Sequence, residues 1–230
     1  MVKERYLAVK HEVSEMCTAA GREEDACTLI AVSKTKPVEM LKIAYEAGCR
    51  DFGENKVQEL LDKYDKLPKD TRWHMIGHLQ TNKVKYIVDK VFMIHSVDSI
   101  KLAREISKEA VKKGVTVDVL LEVNVACEDT KYGFSVDGVM EHIRDIALLP
   151  GIKVRGLMTI APFVENSEEN RVYFHQLKQL SVDILRKNID NISMDILSMG
   201  MTGDYEVAIE EGATMIRVGT GIFGERNYNI

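Results

Sequence analysis

No run in this 230-residue sequence approaches the roughly 18 uninterrupted apolar residues that a membrane span needs. The opening Met1-Val2-Lys3-Glu4-Arg5-Tyr6 reaches acidic residues at once and lacks the apolar core of a secretory signal. These absences predict a soluble, cytoplasmic protein. Positive charge is also short: 31 Lys and Arg face 36 Asp and Glu, a formal charge of -5, so no global field exists to hold nucleic acid or an anionic membrane. Cys17, Cys27, Cys49 and Cys127 form no C-x-x-C pair, which argues against a disulfide framework and a structural zinc and leaves buried or half-buried thiols. His74 and His78 read as strand residues, where four steps of about 3.3 Å separate them by roughly 13 Å, too far to share a metal. His11, His95, His142 and His175 have no ligand-like spacing. No linker, low-complexity tract or charge block divides the chain, so the expectation is one domain over 1–230, acting as a monomer.

What is present is alternation. Short β-rich apolar runs each lead into a longer amphipathic segment, the pattern of a parallel sheet covered by helices. The runs are 29–35, 49–54, 72–77, 91–96, 117–125, 153–160, 195–199 and 214–219. Helical segments fall at 38–47, 56–66, 81–89, 99–113, 136–148, 168–188 and 205–211, after a leading helix over 3–20. Eight such units in this length predict a closed (β/α)8 barrel of the TIM type with an extra N-terminal helix. Pro37 suits a first helical turn, Gly48 and Gly114 suit helix ends, and Pro150-Gly151 reads as a turn.

In such barrels the C-terminal ends of the strands converge on one face, where chemistry resides. Those positions are Lys34, Asn55, His78, Asn124, Met158, Ser198 and Arg217. Period-2 alternation puts Ile30, Val32 and Lys34 on one buried row, and a partly desolvated lysine supplies neutral amine for attack on an aldehyde. Lys36 shares that face but precedes Pro37, so it is expected to flank the next helix and reach solvent. The alternative for Lys34 is a lysine snorkelling from a strand end. Two glycine-rich ends follow the last strands: Ser198-Met199-Gly200-Met201-Thr202-Gly203-Asp204 and Arg217-Val218-Gly219-Thr220-Gly221. Backbone N–H groups freed by glycine, with hydroxyls of Ser198, Thr202 and Thr220, suit a phosphate. Tight turns alone would explain the same glycines. Arg217 is either a fixed cation at the barrel mouth or half of a structural ion pair. Asn55 is either a donor and acceptor for a ligand or a helix cap.

Six segments carry a resemblance: Ala31-Val32-Ser33-Lys34-Thr35-Lys36-Pro37, Phe52-Gly53-Glu54-Asn55, Trp73 through Lys83, Arg155-Gly156-Leu157-Met158, Leu197-Ser198-Met199-Gly200-Met201 and Ile216-Arg217-Val218-Gly219-Thr220. In this order, from near residue 28 to near residue 226, they resemble the pyridoxal phosphate homeostasis protein family, related by fold to the N-terminal domain of alanine racemases. The resemblance implies pyridoxal 5'-phosphate (PLP) as cofactor, held as a Schiff base on Lys34. Ser198, Gly200, Gly219 and Thr220 fall where that family contacts phosphate. Asn55, His78, Met158, Met201, Thr202 and Arg217 complete the candidate cofactor-binding set. One departure is Thr202-Gly203-Asp204, where the family commonly shows Ser-x-Asp; threonine keeps the hydroxyl.

The resemblance implies a carrier that buffers PLP without catalysis, with PLP-dependent apoenzymes as candidate recipients. The rival is a PLP-dependent amino-acid racemase, which needs a second acid–base opposite the lysine. After the eighth strand only Phe223 to Ile230 remain, too few for a further domain and with no positioned tyrosine, which favours the carrier. A barrel for sugar phosphates would explain the glycines but not the lysine.

Overall fold

The computed structural model describes residues 1–128 and 130–225. Eight parallel strands close into a barrel in sequence order: β1 (Thr28–Val32), β2 (Asp51–Glu54), β3 (Arg72–Met75), β4 (Met93–Val97), β5 (Val117–Glu122), β6 (Ile152–Met158), β7 (Ile192–Met201) and β8 (Met215–Val218). β8 pairs back onto β1, Ile30 opposite Arg217. Around them lie α1 (Val2–Ala19), α2 (Val38–Glu46), α3 (Val57–Tyr64), α4 (Val84–Ile87), α5 (Ile100–Lys113), α6 (Val136–Ala147), α7 (Arg171–Leu185), α8 (Tyr205–Glu210) and α9 (Thr220–Phe223). The TIM-type architecture with a leading helix is therefore as the alternation predicts.

Each α/β unit forms for a local reason. α5 opens on Ser99, whose hydroxyl accepts from the Leu102 amide, and closes on Gly114 in the left-handed conformation. In α1, Val2, Tyr6, Val9, Val13 and Cys17 recur at three- and four-residue steps and bury one stripe. Inside the barrel a small apolar layer is made by Ile30, Met93, Leu120, Met158 and Met215. β6 and β7 approach so closely that a Cβ on Gly156 would stand 1.8 Å from the Ile196 carbonyl oxygen, which only glycine avoids.

Several expected boundaries move. β1 stops at Val32 rather than running to residue 35, because Thr35 takes a positive φ of 65° and the Lys36 amide turns back to the Ser33 carbonyl. The segment expected as one helix over 81–89 splits into a 3-10 turn, Thr81–Lys83, and the single turn α4. α9 was not anticipated from the sequence. Cys17, Cys27 and Cys49 are buried, but Cys127 is exposed, since β5 ends at Glu122 and leaves it on a loop. Among the described residues no helix is long and apolar enough to cross a membrane. Of the last segment singled out in the sequence, 223–230, residues 226–230 lie outside the described residues.

Candidate functional site

At the C-terminal mouth of the barrel lies a cavity of about 360 Å³. Lys34, Lys36, Asn55, Met201, Thr202, Arg217, Gly219 and Thr220 stand in its wall, with Val32, Ile76, Ile160 and Phe163 as the apolar part. Ile30 lies in the barrel interior and Val32 at the cavity, and Lys34 reaches the same cavity from the turn after β1 rather than from the strand itself.

The turn that carries Lys34 is clamped from below. Ser33 Oγ donates to Glu54 Oε1 at 2.6 Å, and the Lys63 ammonium donates to the same oxygen and to the Ser33 carbonyl, both at 2.8 Å. Lys63 also pairs with Glu59 at 2.9 Å, and the other end of that clamp is the Thr35 amide donating to Glu59 Oε1. Burial pushes the Glu54 carboxyl above its ordinary range, opposed by Lys63 and Ser33. Lys36 does not simply flank α2. Its Nζ donates to the carbonyls of Phe223, Gly224 and Glu225 at 3.3, 2.9 and 2.7 Å, so it caps the C-terminal end of α9 and ties the β1 turn to the loop after β8.

Arg217 is held by a chain of polar groups that threads the barrel. Its guanidinium donates to Ser198 Oγ at 2.7 Å and to the Thr159 carbonyl at 2.9 Å. Ser198 Oγ lies 2.9 Å from His95 Nδ1, His95 Nε2 lies 2.9 Å from His74 Nδ1, and His74 Nε2 lies 3.0 Å from Asp51 Oδ1. Asp51 meets Arg72 through two hydrogen bonds of 2.7 and 2.5 Å. Burial raises the Asp51 carboxyl, but the Arg72 and His74 hydrogen bonds outweigh it and hold the group below the ordinary range. Burial, then His74 and Arg217, drive His95 far down, so it is neutral. Ser198 Oγ accepts from Arg217, and the tautomers of His74 and His95 set which ring nitrogens donate along the rest of the chain. Burial lowers Arg217 to about 10, which leaves it cationic at neutral pH.

The structure separates the candidate residues into three groups. Lys34, Asn55, Met201, Thr202, Arg217, Gly219 and Thr220 meet at one cavity. Ser198, Gly200 and Met158 do not line it. Ser198 is buried with its hydroxyl committed to His95 and Arg217, and Met158 belongs to the apolar barrel layer. Gly200 has a φ of 91° in an irregular stretch of β7, and a Cβ there would lie 2.6 Å from Ala208, so packing against α8 already requires glycine. His78 sits in an adjoining cavity with Asn124, its Nδ1 2.8 Å from Asp98 and its ring stacked on Tyr132. Gly203, within the glycine-rich end but not singled out, lines the main cavity with open space where a Cβ would project. Asp204 fixes that loop by accepting from the Met201 amide at 2.7 Å and from Asn170 at 2.9 Å. The His74–His95 chain and the Lys63 clamp escaped sequence reasoning. Their one legible signal was a set of polar residues, Glu54, His74 and His95, within apolar strands.

The donor set fits a phosphorylated aldehyde. Lysine, arginine and hydroxyl donors ring a space bounded by glycines, and Asn55 Oδ1 is buried with no partner among the described residues. Over residues 6–227 the chain matches the family described as alanine racemase, N-terminal domain. A pyridoxal phosphate homeostasis protein of Aquifex aeolicus is 47% identical over 226 residues, covering 98% of each chain. Its counterpart in Pseudomonas aeruginosa is 37% identical over 228 residues, covering 99% of this chain and 96% of that one. Among solved structures, PipY of Synechococcus elongatus with PLP bound is 33% identical, covers 97% of this chain and 100% of that chain, and gives a TM-score of 0.82. An alanine racemase of Clostridium difficile, 18% identical with a TM-score of 0.72, shares the fold; the match covers 94% of this chain and 56% of that one. The chain belongs to the pyridoxal phosphate homeostasis protein family.

Proposed function

We propose that this chain binds pyridoxal 5'-phosphate through an imine to Lys34 and carries or buffers it in vitamin B6 homeostasis, without catalysing a reaction of its own. The observation that carries the reading is the meeting of Lys34, Arg217 and the Thr202-Gly203 and Gly219-Thr220 loops at one cavity. When bound, PLP supplies an aldehyde that condenses with amines and a ring that withdraws electrons. The protein's part is positioning. Glu54, Lys63 and Glu59 fix the turn that presents Lys34, the polar chain fixes Arg217, and Thr202 and Thr220 offer hydroxyls beside glycines that leave room for phosphate oxygens. The relatives' names support homeostasis over catalysis.

The test is the absorption spectrum of purified protein mixed with PLP, followed by borohydride and mass analysis. Wild type should show a visible imine band and a stable reduced adduct on Lys34, and Lys34→Ala should show neither. A band that survives Lys34→Ala and vanishes in Lys36→Ala would reassign the lysine. Turnover of amino acids well above that of dissolved PLP, abolished by Lys34→Ala, would replace the carrier with an enzyme.

A further inference from the structure

A second cavity of about 270 Å³ opens beside the first and shares Asn55, Ile76 and Ile160 with it. At its wall stands Glu122, the last residue of β5, only 7% exposed. Its Oε2 is buried with no hydrogen-bond partner among the described residues, and Asn55 Oδ1 on the shared wall is in the same condition. Folding does not leave a carboxyl oxygen unpartnered in a dry site without cost, and although Glu122 offsets the buried Arg217 charge, the Arg217 hydrogen bonds go to Ser198 and Thr159 and leave that oxygen unmet.

Three of the charged and donor groups around this cavity are already engaged. Lys131 pairs with Glu128 at 2.6 Å, Asn124 donates to the Glu128 carbonyl at 2.8 Å, and His78 is taken by Asp98. The buried atoms that stay unsatisfied at this wall are acceptors, Glu122 Oε2 and Asn55 Oδ1. A ligand that matches them must bring several N–H donors and a positive charge on a small head, attached to a short apolar body that suits Ile76 and Val123. A primary ammonium has those properties. We propose that this cavity is a subsite for a small primary amine, with Glu122 and Asn55 as its acceptors. Only its consequence rests on the PLP reading: an amine held here lies beside the cavity of Lys34, where it can compete for the carried aldehyde.

The test is an amide NMR titration of the full chain with propylammonium chloride at mildly alkaline pH, run on PLP-free protein and on protein reduced with borohydride. Saturable shifts should centre on Gly77, Val123, Asn124 and Tyr132. Glu122→Gln should weaken the affinity about tenfold or more, as expected for a lost charge-assisted hydrogen bond, while Glu122→Asp retains part of it. Tetramethylammonium, which has the charge but no N–H, should leave those amides in place. Shifts scattered over the surface, an equal response to tetramethylammonium, or unchanged affinity in Glu122→Gln would overturn the subsite. The wild-type titration decides alone if the Gln variant does not fold. Absent shifts in a protein that takes up PLP count against the subsite, whereas intact shifts in a protein that binds no PLP support it and count against the Lys34 reading.

Discussion

Glu122 makes a prediction about stability that needs no ligand. Burial first, then the nearby Asp98 charge, push its carboxyl up to about 7, with Arg217 pulling weakly the other way. In the unfolded chain the same group titrates near an ordinary 4.5. Between those values the folded protein holds a proton that the unfolded chain has released, so stability falls as pH rises through this window and levels off above it. At about 1.4 kcal/mol per pH unit the loss is on the order of 3 kcal/mol. Glu122→Gln removes the titration while keeping the shape. Near pH ~4, where the carboxyl is neutral in both states, wild type and variant should differ only by a constant for the amide. By pH ~8 the variant should have gained about 3 kcal/mol relative to wild type, because groups that titrate in both proteins cancel. Urea unfolding at a series of pH values, with the difference in free energy plotted against pH, reads this directly. A difference that stays flat across the window would refute the claim that folding opposes ionisation of Glu122. A difference that moves in the opposite direction would show that a donor reaches the carboxylate.

Two further predictions separate positioning from contact. Thr220→Ala should weaken PLP by about 1.5–3 kcal/mol more than it weakens pyridoxal, since the hydroxyl lines the cavity. Ser198→Ala should weaken both alike, because its hydroxyl is spent on His95 and Arg217; binding titrations with the two ligands check this, and a phosphate-selective loss in Ser198→Ala would refute it. Lys63→Met strands the buried Glu54 carboxylate and should cost about 3–5 kcal/mol in urea unfolding, with much of it restored when Glu54→Gln is added. A single variant as stable as wild type would mean that the clamp does not hold the Lys34 turn.

How far the site could be read from the sequence follows from where its information is local. Ile30 and Val32 are legible because strand side chains alternate, Lys34 follows them from the turn after β1, and the glycine-rich ends at 198–204 and 217–221 are legible because turns that approach a ligand restrict side chains. Gly200 shows the limit. It has the composition of a phosphate loop, yet its glycine answers a clash with Ala208 on α8, a fact that no spacing along the chain encodes. Lys36 misled for a similar reason. The adjacent Pro37 suggested a role at the next helix, whereas its ammonium caps α9, nearly two hundred residues further on.

The order of elements, the count of eight strands that leads one to expect a closed barrel, and the lysine just after β1 follow from local periodicity and turn chemistry, which a sequence displays directly. The pairing of Lys63 with Glu54, the run from Asp51 through His74 and His95 to Arg217, and the unpartnered Glu122 oxygen were decided only when the barrel closed. Each depends on which inward-facing residue of one strand meets which of another, a register set by hydrogen bonding between segments far apart in the chain, and burial then turns those meetings into fixed charge states.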